Sequence, residues 1–202
     1  MGALLLFNIS GFFNNVNPEH ATQVFCQKGF PDNVCQWTRS FLTGRSVSLR
    51  MGSTVLAPCS VHNGTPQGSP LSPILSALYT ASLLDLASWW THRDLTLYVD
   101  DGAIFSVSKT TTATTASTIQ GLEQALAWLS RNGLSADPAK TELMVFMPRR
   151  SNPNLIGGHI HGATYGNNQR VTTVTTSLRN LGVHITLTLK WDAHVDLMVN
   201  CA

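Results

Sequence analysis

The chain has 202 residues, of which 43% are hydrophobic and 12% are charged, and its formal net charge is +2. This composition provides a core for one domain and excludes an intrinsically disordered chain, which requires high charge and few apolar residues. The basic excess is smaller than nucleic-acid binders usually carry, so charge alone does not indicate a nucleic-acid partner.

Cysteine usage and apolar runs indicate where the protein resides. No C-x-x-C pair occurs, which argues against a zinc ribbon or a thioredoxin-like motif and favours reduced thiols in an intracellular, cytoplasmic or nuclear, protein. The apolar start at residues 1–7 lacks the basic region and the cleavage site of a signal peptide. No apolar run is long enough to cross a bilayer, so we expect no membrane association.

The first half of the chain alternates strand and helix patterns. A continuous apolar run predicts a buried strand, and a helix follows where Asn17 provides an N-cap and Gly29 a stop. A further helix and a hairpin around Gly52 come next. The predicted elements are a strand at 3–7, helices at 18–28 and 31–42, and strands at 46–51 and 54–57.

The second half continues this alternation. Residues 109–117 are rich in threonine and are predicted to form a loop before an amphipathic helix. The predicted elements are helices at 73–88 and 118–131, strands at 95–99, 103–107, 141–147 and 183–187, and one hairpin within 156–174. Interleaved helices and tight hairpins predict an α+β domain in which an antiparallel sheet carries helices on one face.

Two adjacent carboxylates, Asp100 and Asp101, lie between apolar strands and precede Gly102. Such a sequence is an ordinary Asp-Gly hairpin turn in many proteins, and this is the favoured interpretation of the tetrapeptide by itself. The alternative is a site for Mg²⁺, which prefers hard carboxylate oxygens and substrate phosphates.

A second motif runs from Gly64 to Pro73 and enters an apolar helix. Its glycines and prolines form either a plain surface turn or a rigid loop that directs backbone N–H groups and the Gln67 amide towards an anion such as phosphate. The residues of the motif leave these two interpretations equally open.

Five ordered blocks resemble the motifs of reverse transcriptases of the non-LTR retrotransposon type. Tyr98-Val-Asp-Asp101 resembles motif C, and Thr65-Pro-Gln-Gly-Ser-Pro-Leu-Ser-Pro73 resembles motif B. The remaining blocks resemble motif A (Leu6-Phe-Asn-Ile-Ser-Gly-Phe-Phe-Asn-Asn-Val16), motif D (Gly133-Leu-Ser-Ala-Asp-Pro-Ala-Lys-Thr-Glu142) and the primer grip (Leu181-Gly-Val-His-Ile-Thr186). The stretch from Trp37 to Arg45 is also typical of these elements.

The resemblance implies a polymerase palm that performs RNA-directed DNA synthesis by a two-metal mechanism. Its partners would be an RNA template, a DNA primer and deoxynucleoside triphosphates, and its cofactor two Mg²⁺ ions. The implied roles are metal binding by Asp100 and Asp101, contact with the nucleotide or template by Phe13, Gln67, Gly68 and Tyr98, and protonation of the leaving group by Lys140.

The departure from the family pattern is Asn8, which occupies the position of the metal-binding aspartate of motif A. An asparagine amide is neutral and offers one acceptor oxygen where a carboxylate offers two. We therefore expect a catalytic site in which Asn8, Asp100, Asp101 and Lys140 assemble but polymerase activity is weak or absent.

The resemblance extends over the whole chain as one domain, with residues 1–147 as the palm core and 148–202 as a hairpin and primer-grip region. Fingers and thumb are expected to be largely missing, which would leave apolar faces free to form a homo-oligomer. The first alternative function is a non-catalytic nucleic-acid- or protein-binding remnant of a decayed retroelement. The second is a secreted glycoprotein using the sequons at Asn8 and Asn63.

Overall fold

A computed structural model describes residues 1–146, 173–174, 177–187 and 189–200. Eleven strands and seven α-helices are defined in this part of the chain, together with a 3-10 helix at Pro138–Lys140. The strands are β1 Gly2–Asn8, β2 Arg45–Val47, β3 Arg50–Met51, β4 Thr54–Val55, β5 Cys59–Val61, β6 Arg93–Tyr98, β7 Asp101–Val107, β8 Glu142–Phe146, β9 Thr173–Val174, β10 Ser177–Asn180 and β11 Val183–Thr186. The helices are α1 Phe12–Asn15, α2 Pro18–Gln27, α3 Asp32–Leu42, α4 Ser72–Tyr79, α5 Ala81–Ala87, α6 Thr111–Arg131 and α7 Asp192–Asn200.

The main sheet has five strands in the order β6-β7-β1-β8-β9, with β1 at its centre. Strand β1 pairs antiparallel with both β7 and β8, and Asn8 at its end lies opposite Asp101. Because β1 is apolar on both faces, it tolerates the central position, where no residue of the strand is fully exposed. The end of β1 therefore lies in the middle of the sheet edge.

The two faces of this sheet carry different cover. Ala3, Leu5 and Phe7 point into the larger core, which is completed by residues of the helices. Leu6 on the other face packs with Met144 and with Leu178 of the β10–β11 hairpin. This confirms the predicted α+β class with helices on one face, except that the pair β8–β9 is parallel.

The hairpin between β6 and β7 turns earlier than the sequence predicts. Strand β6 ends at Tyr98 and β7 begins at Asp101, so the two-residue turn is Val99-Asp100. The Asp-Gly interpretation of the turn is wrong, because Gly102 lies within β7. A glycine is needed there because the Phe7 ring of β1 occupies the space of a side chain. A Cβ atom there would lie 2.2 Å from Cζ of Phe7.

Helix α6 begins at Thr111, whereas the sequence pattern predicts a loop over residues 109–117. The Thr110 hydroxyl accepts a hydrogen bond from the Ala113 N–H at 3.2 Å and caps the helix. Thr114 and Thr118 are buried in the helix, and their hydroxyls donate to carbonyls four residues earlier. Because these hydroxyls find acceptors within the helix itself, the threonines can be buried and the helix continues through the polar segment.

Other boundaries differ in smaller ways. The helix predicted at 73–88 is divided into α4 and α5 at Thr80, whose hydroxyl donates to the carbonyls of Ser76 and Ala77. The predicted hairpin around Gly52 is present, but its strands are interrupted and form two short pairs. The hairpin predicted within 156–174 lies outside the described residues except for β9. Among the helices described, none combines the length and apolar character needed to span a membrane.

Candidate active site

Three segments meet at the end of β1. The Ile9 N–H donates to the Asp100 carbonyl at 2.7 Å, which joins β1 to the turn between β6 and β7. The Asp137 N–H donates to the Asn8 carbonyl at 2.9 Å, which joins β1 to the segment that holds the 3-10 helix. Backbone hydrogen bonds therefore fix the positions from which Asn8, Asp100 and Lys140 project.

The Asn8 amide lies between the two adjacent carboxylates. Its Nδ2 donates to Asp100 Oδ2 at 3.0 Å and to Asp101 Oδ1 at 3.2 Å, while its Oδ1 accepts from Lys140 Nζ at 3.5 Å. One neutral side chain thus satisfies two anions and contacts one cation. In a glycoprotein this nitrogen would carry the glycan, so its position between two carboxylates argues against use of the Asn8 sequon.

The turn that holds Asp100 is strained. Val99 has φ 57°, a left-handed conformation that costs a β-branched residue about 1–3 kcal/mol. The Val99 side chain packs against the larger hydrophobic core, which offsets this cost. Packing of Val99 therefore fixes the orientation of the carboxylate that follows it.

A cavity of about 370 Å³ opens on one side of Asn8. It lies between the end of β1, helix α1 and the loop after Gly64. The Gln67 amide bridges the last two by donating to Asn14 Oδ1 at 3.2 Å. Besides Asn8, the cavity is lined by the Phe13 ring and by the polar side chains of Ser10, Asn14, Gln67, Asp100, Asp137 and Lys140.

A second cavity of about 390 Å³ also borders Asn8. The β10–β11 turn forms one wall, and its Leu181 and Gly182 both have positive φ, as a tight two-residue hairpin of this kind requires. Asn8 and Lys140 line both cavities, which therefore adjoin at these two side chains. The other charged lining residues of the second cavity are Asp101, Glu142 and Arg179.

The structure brings together six of the residues singled out in the sequence: Asn8, Phe13, Gln67, Asp100, Asp101 and Lys140. Gly68 and Tyr98 line neither of the two cavities, and the Tyr98 side chain is 64% exposed. Sequence reasoning missed Asp137, Glu142 and Arg179. The sequence signal for Arg179 is its position two residues before Leu181-Gly182, the predicted primer-grip segment. In the structure, Arg179 lines the same cavity as Asp101.

Asp100 and Asp101 could hold a divalent ion, and the donor set lacks the further negative charge that a pair of ions requires. Asp100 and Asp101 supply hard carboxylate oxygens, which suit a single Mg²⁺. Asn8 adds no negative charge to them, and the Lys140 ammonium beside it adds a positive one. Within the described ranges, no group of three or more His, Cys, Asp or Glu side chains could hold a metal.

Comparisons with known proteins were made on sequence and on structure. The family model described as reverse transcriptase (RNA-dependent DNA polymerase) matches residues 3–185. No curated protein sequence matches the chain.

Two telomerase structures show the similarity of fold. Apo telomerase from Candida tropicalis, truncated of its C-terminal domain, aligns with a TM-score of 0.63 and 14% identity over 94% of this chain and 35% of that one. Telomerase from Candida albicans in complex with a fragment of telomeric RNA aligns with a TM-score of 0.62 and 12% identity over 93% of this chain and 31% of that one. The chain thus spans about a third of the length of these telomerase chains, and the similarity concerns the fold.

Proposed function

The chain belongs to the reverse transcriptase (RNA-dependent DNA polymerase) family, and on this premise we propose that it is a palm of the non-LTR retrotransposon type whose nucleotidyl transfer is impaired by Asn8. Its substrates are a deoxynucleoside triphosphate and a DNA primer paired with an RNA template, encountered in the cytoplasm or nucleus. The RNA fragment bound by the Candida albicans telomerase supports an RNA partner for this fold.

The observation that carries the proposal is the convergence at Asn8 of two carboxylates, one ammonium group and two cavities. Asp100 and Asp101 contact the same amide nitrogen, and Lys140 contacts the oxygen of that amide. A reaction between two substrates needs both held against the same charged groups. The cavity that includes Phe13 and Gln67 is the place for the nucleotide, and the cavity under the β10–β11 turn is the place for the primer end.

The side chains have separate tasks in this proposal. Phe13 lies beside the sugar of the incoming nucleotide, and the Gln67 amide, positioned by Asn14, contacts its base or the template. The Lys140 ammonium attracts the triphosphate and protonates the departing pyrophosphate. When bound by Asp100 and Asp101, a divalent ion supplies neutralisation of phosphate charge.

Asn8 lowers the rate because it removes one negative charge from this centre. In the arrangement present, the amide hydrogens are directed at the carboxylate oxygens that would otherwise face a cation. A loss of about 3–4 kcal/mol of transition-state stabilisation corresponds to roughly a hundredfold to a thousandfold in rate. We expect Asn8→Asp to raise the rate of nucleotidyl transfer by a factor of this size.

Primer extension on an RNA template with Mg²⁺ tests the proposal, with the chain compared with its Asn8→Asp variant. The expected result is extension by the variant at a rate at least about a hundredfold above that of the parent chain. The matched control is Asn8→Asp combined with Asp100→Asn, which keeps the charge count of the parent and should remain inactive. Equal extension by parent and variant would show that Asn8 does not limit the reaction.

The alternative of a non-catalytic binding remnant makes a different prediction in the same experiment. Asn8 donates to both carboxylates, so the palm can persist as a scaffold whether or not it catalyses a reaction. Under this alternative neither chain extends the primer, yet both retain an RNA–DNA duplex in a gel-shift assay. Failure of both assays would reject a nucleic-acid role altogether.

A further inference from the structure

We propose that Arg45 is a positioning residue that fixes the nucleotide-facing loop, defined as residues 63–68, against the segment containing Phe13. The inference rests on the proposed function, because it assigns the first cavity to a nucleotide. Arg45 does not line that cavity, so it would act through the loop and without touching the substrate.

The Arg45 guanidinium donates three hydrogen bonds to backbone carbonyls. Its Nε donates to the Leu42 carbonyl at 3.0 Å, at the C-terminal end of helix α3, where a positive charge is favourable. Its Nη2 donates to the carbonyls of Asn63 and Gly64 at 2.9 and 2.6 Å. A half-buried cation therefore connects the end of a helix to the start of the loop.

The peptide group between Gly64 and Thr65 is held at both of its ends. Its carbonyl oxygen accepts from Arg45, and its N–H donates to the Phe13 carbonyl at 2.6 Å. A cation on the carbonyl polarises the peptide and strengthens the hydrogen bond made by its N–H. Arg45 thus supports the contact between the loop and Phe13.

The loop has no room to shift while this contact persists. A Cβ on Gly64 would lie 2.7 Å from the Phe13 carbonyl oxygen, and the Gly64 N–H donates to the Val16 carbonyl at 2.7 Å. Gln67 follows within the same loop and reaches Asn14, one residue beyond Phe13. Fixing Gly64 therefore fixes the distance between the Gln67 amide and the Phe13 ring, which line the same cavity.

An arginine is required because the three acceptors are separated. A guanidinium presents donors in a planar fork, whereas a lysine ammonium presents all its donors at a single point. Lysine at position 45 keeps the charge and reaches fewer of the carbonyls. We expect Arg45→Lys to behave as an intermediate between the parent chain and Arg45→Met.

Two measurements on the full chain test the proposal. Hydrogen–deuterium exchange reports on the Thr65 amide, and fluorescence titration with a labelled deoxynucleoside triphosphate, in the presence of Mg²⁺ and a primer–template duplex, reports on nucleotide affinity. The control is Arg50→Met, which removes an exposed arginine from strand β3 of the same hairpin. Exchange at the β1 amides reports whether each variant retains the fold. If Arg45→Met does not fold, the same measurements are made on Arg45→Lys.

The expected result for Arg45→Met is exchange of the Thr65 amide about tenfold faster, which corresponds to about 1.4 kcal/mol, and nucleotide Kd raised by a similar factor. Arg50→Met should change neither quantity. Unchanged exchange of the Thr65 amide in Arg45→Met would overturn the proposal. Faster exchange together with a nucleotide Kd equal to that of Arg50→Met would also overturn it. If the parent chain binds no nucleotide, the proposed function fails and the positioning role with it, while exchange at Thr65 still reports whether Arg45 holds the loop.

Discussion

The Asn8 side chain places a neutral donor where two carboxylates converge, and this determines how the centre responds to cations. Replacing Asn8 by aspartate brings three carboxylates together, whose like charges repel one another, and removes the amide hydrogens that bond to Asp100 and Asp101. Without divalent ions at neutral pH, we expect Asn8→Asp to lower the free energy of unfolding by about 1–2 kcal/mol.

Thermal unfolding in EDTA and in millimolar MgCl₂ measures this effect. Mg²⁺ should raise the Tm of Asn8→Asp by several degrees and that of the parent chain by less. Asn14→Asp is the matched control, because it adds the same charge at a side chain that bonds to the Gln67 amide rather than to Asp100 or Asp101. An equal response to Mg²⁺ in parent and Asn8→Asp would contradict the account of the amide bridge.

Cysteine reactivity gives a second test at the residue scale. A hydrogen bond with the Cys26 thiol and burial raise the pKa of Cys35 to about 11, so its thiol stays protonated at neutral pH. Cys26 and Cys59 are exposed. Because the thiolate is the nucleophile, iodoacetamide at neutral pH should label Cys26 and Cys59 in the folded chain at least about tenfold faster than Cys35.

Peptide mass spectrometry after timed labelling gives the three rates. Labelling of Cys35 should increase only as pH approaches 11 or when the chain is unfolded. Equal rates at Cys26, Cys35 and Cys59 in the native chain would mean that the contact between helices α2 and α3 opens readily.

At the scale of elements, the first turn of α6 depends on its cap. The Thr110 hydroxyl accepts from the Ala113 N–H, and removing such a cap costs about 1 kcal/mol. We expect Thr110→Ala to lower the free energy of unfolding in urea by this amount. Thr112→Ala, an exposed position inside the same turn, should be neutral or slightly stabilising because alanine is the better helix former. Equal effects of the two substitutions would show that the cap contributes nothing.

The same helix shows what the sequence could and could not predict. Apolar periodicity predicts its C-terminal two thirds, but the start depends on threonine hydroxyls that donate to carbonyls of their own helix. It also depends on Ser106 of β7, whose hydroxyl donates to the Thr114 carbonyl and contacts the Thr118 hydroxyl. The turn between β6 and β7 was misplaced for a similar reason. Position 102 requires glycine because the Phe7 ring of the neighbouring strand fills the space of a side chain. A contact between residues so far apart in the sequence leaves no local pattern.

The candidate site was more predictable than these boundaries because its residues occur in ordered motifs. Asn8, Asp100 and Lys140 were singled out in separate segments, and the structure places them in contact. Arg45 donates to the backbone carbonyl of Gly64, and Arg179 lines a cavity that is formed by several distant segments. Such partners are backbone atoms and spaces, which side-chain identity along the chain does not reveal.

On the scale of the whole molecule, helices cover one face of the sheet and the β10–β11 hairpin packs on part of the other, whereas the β2–β5 hairpin has little cover. Its strands form two short pairs, and a two-stranded hairpin is marginally stable by itself in water. The exposed apolar side chains of this hairpin are Val47, Leu49, Met51, Val55 and Leu56. Contiguous apolar surface of this kind promotes association between molecules.

We therefore expect concentration-dependent self-association that a charge on the apolar side chains of the hairpin reduces. Val55→Lys combined with Met51→Lys should lower the weight-average mass measured by light scattering during size-exclusion chromatography. Thr54→Lys is the matched control, since it adds charge to the same hairpin and removes no large apolar side chain. Tm should change little in both variants, because the three substituted positions are exposed. A monomer at every concentration, or an equal effect of Thr54→Lys, would show that the apolar side chains of the hairpin do not mediate association.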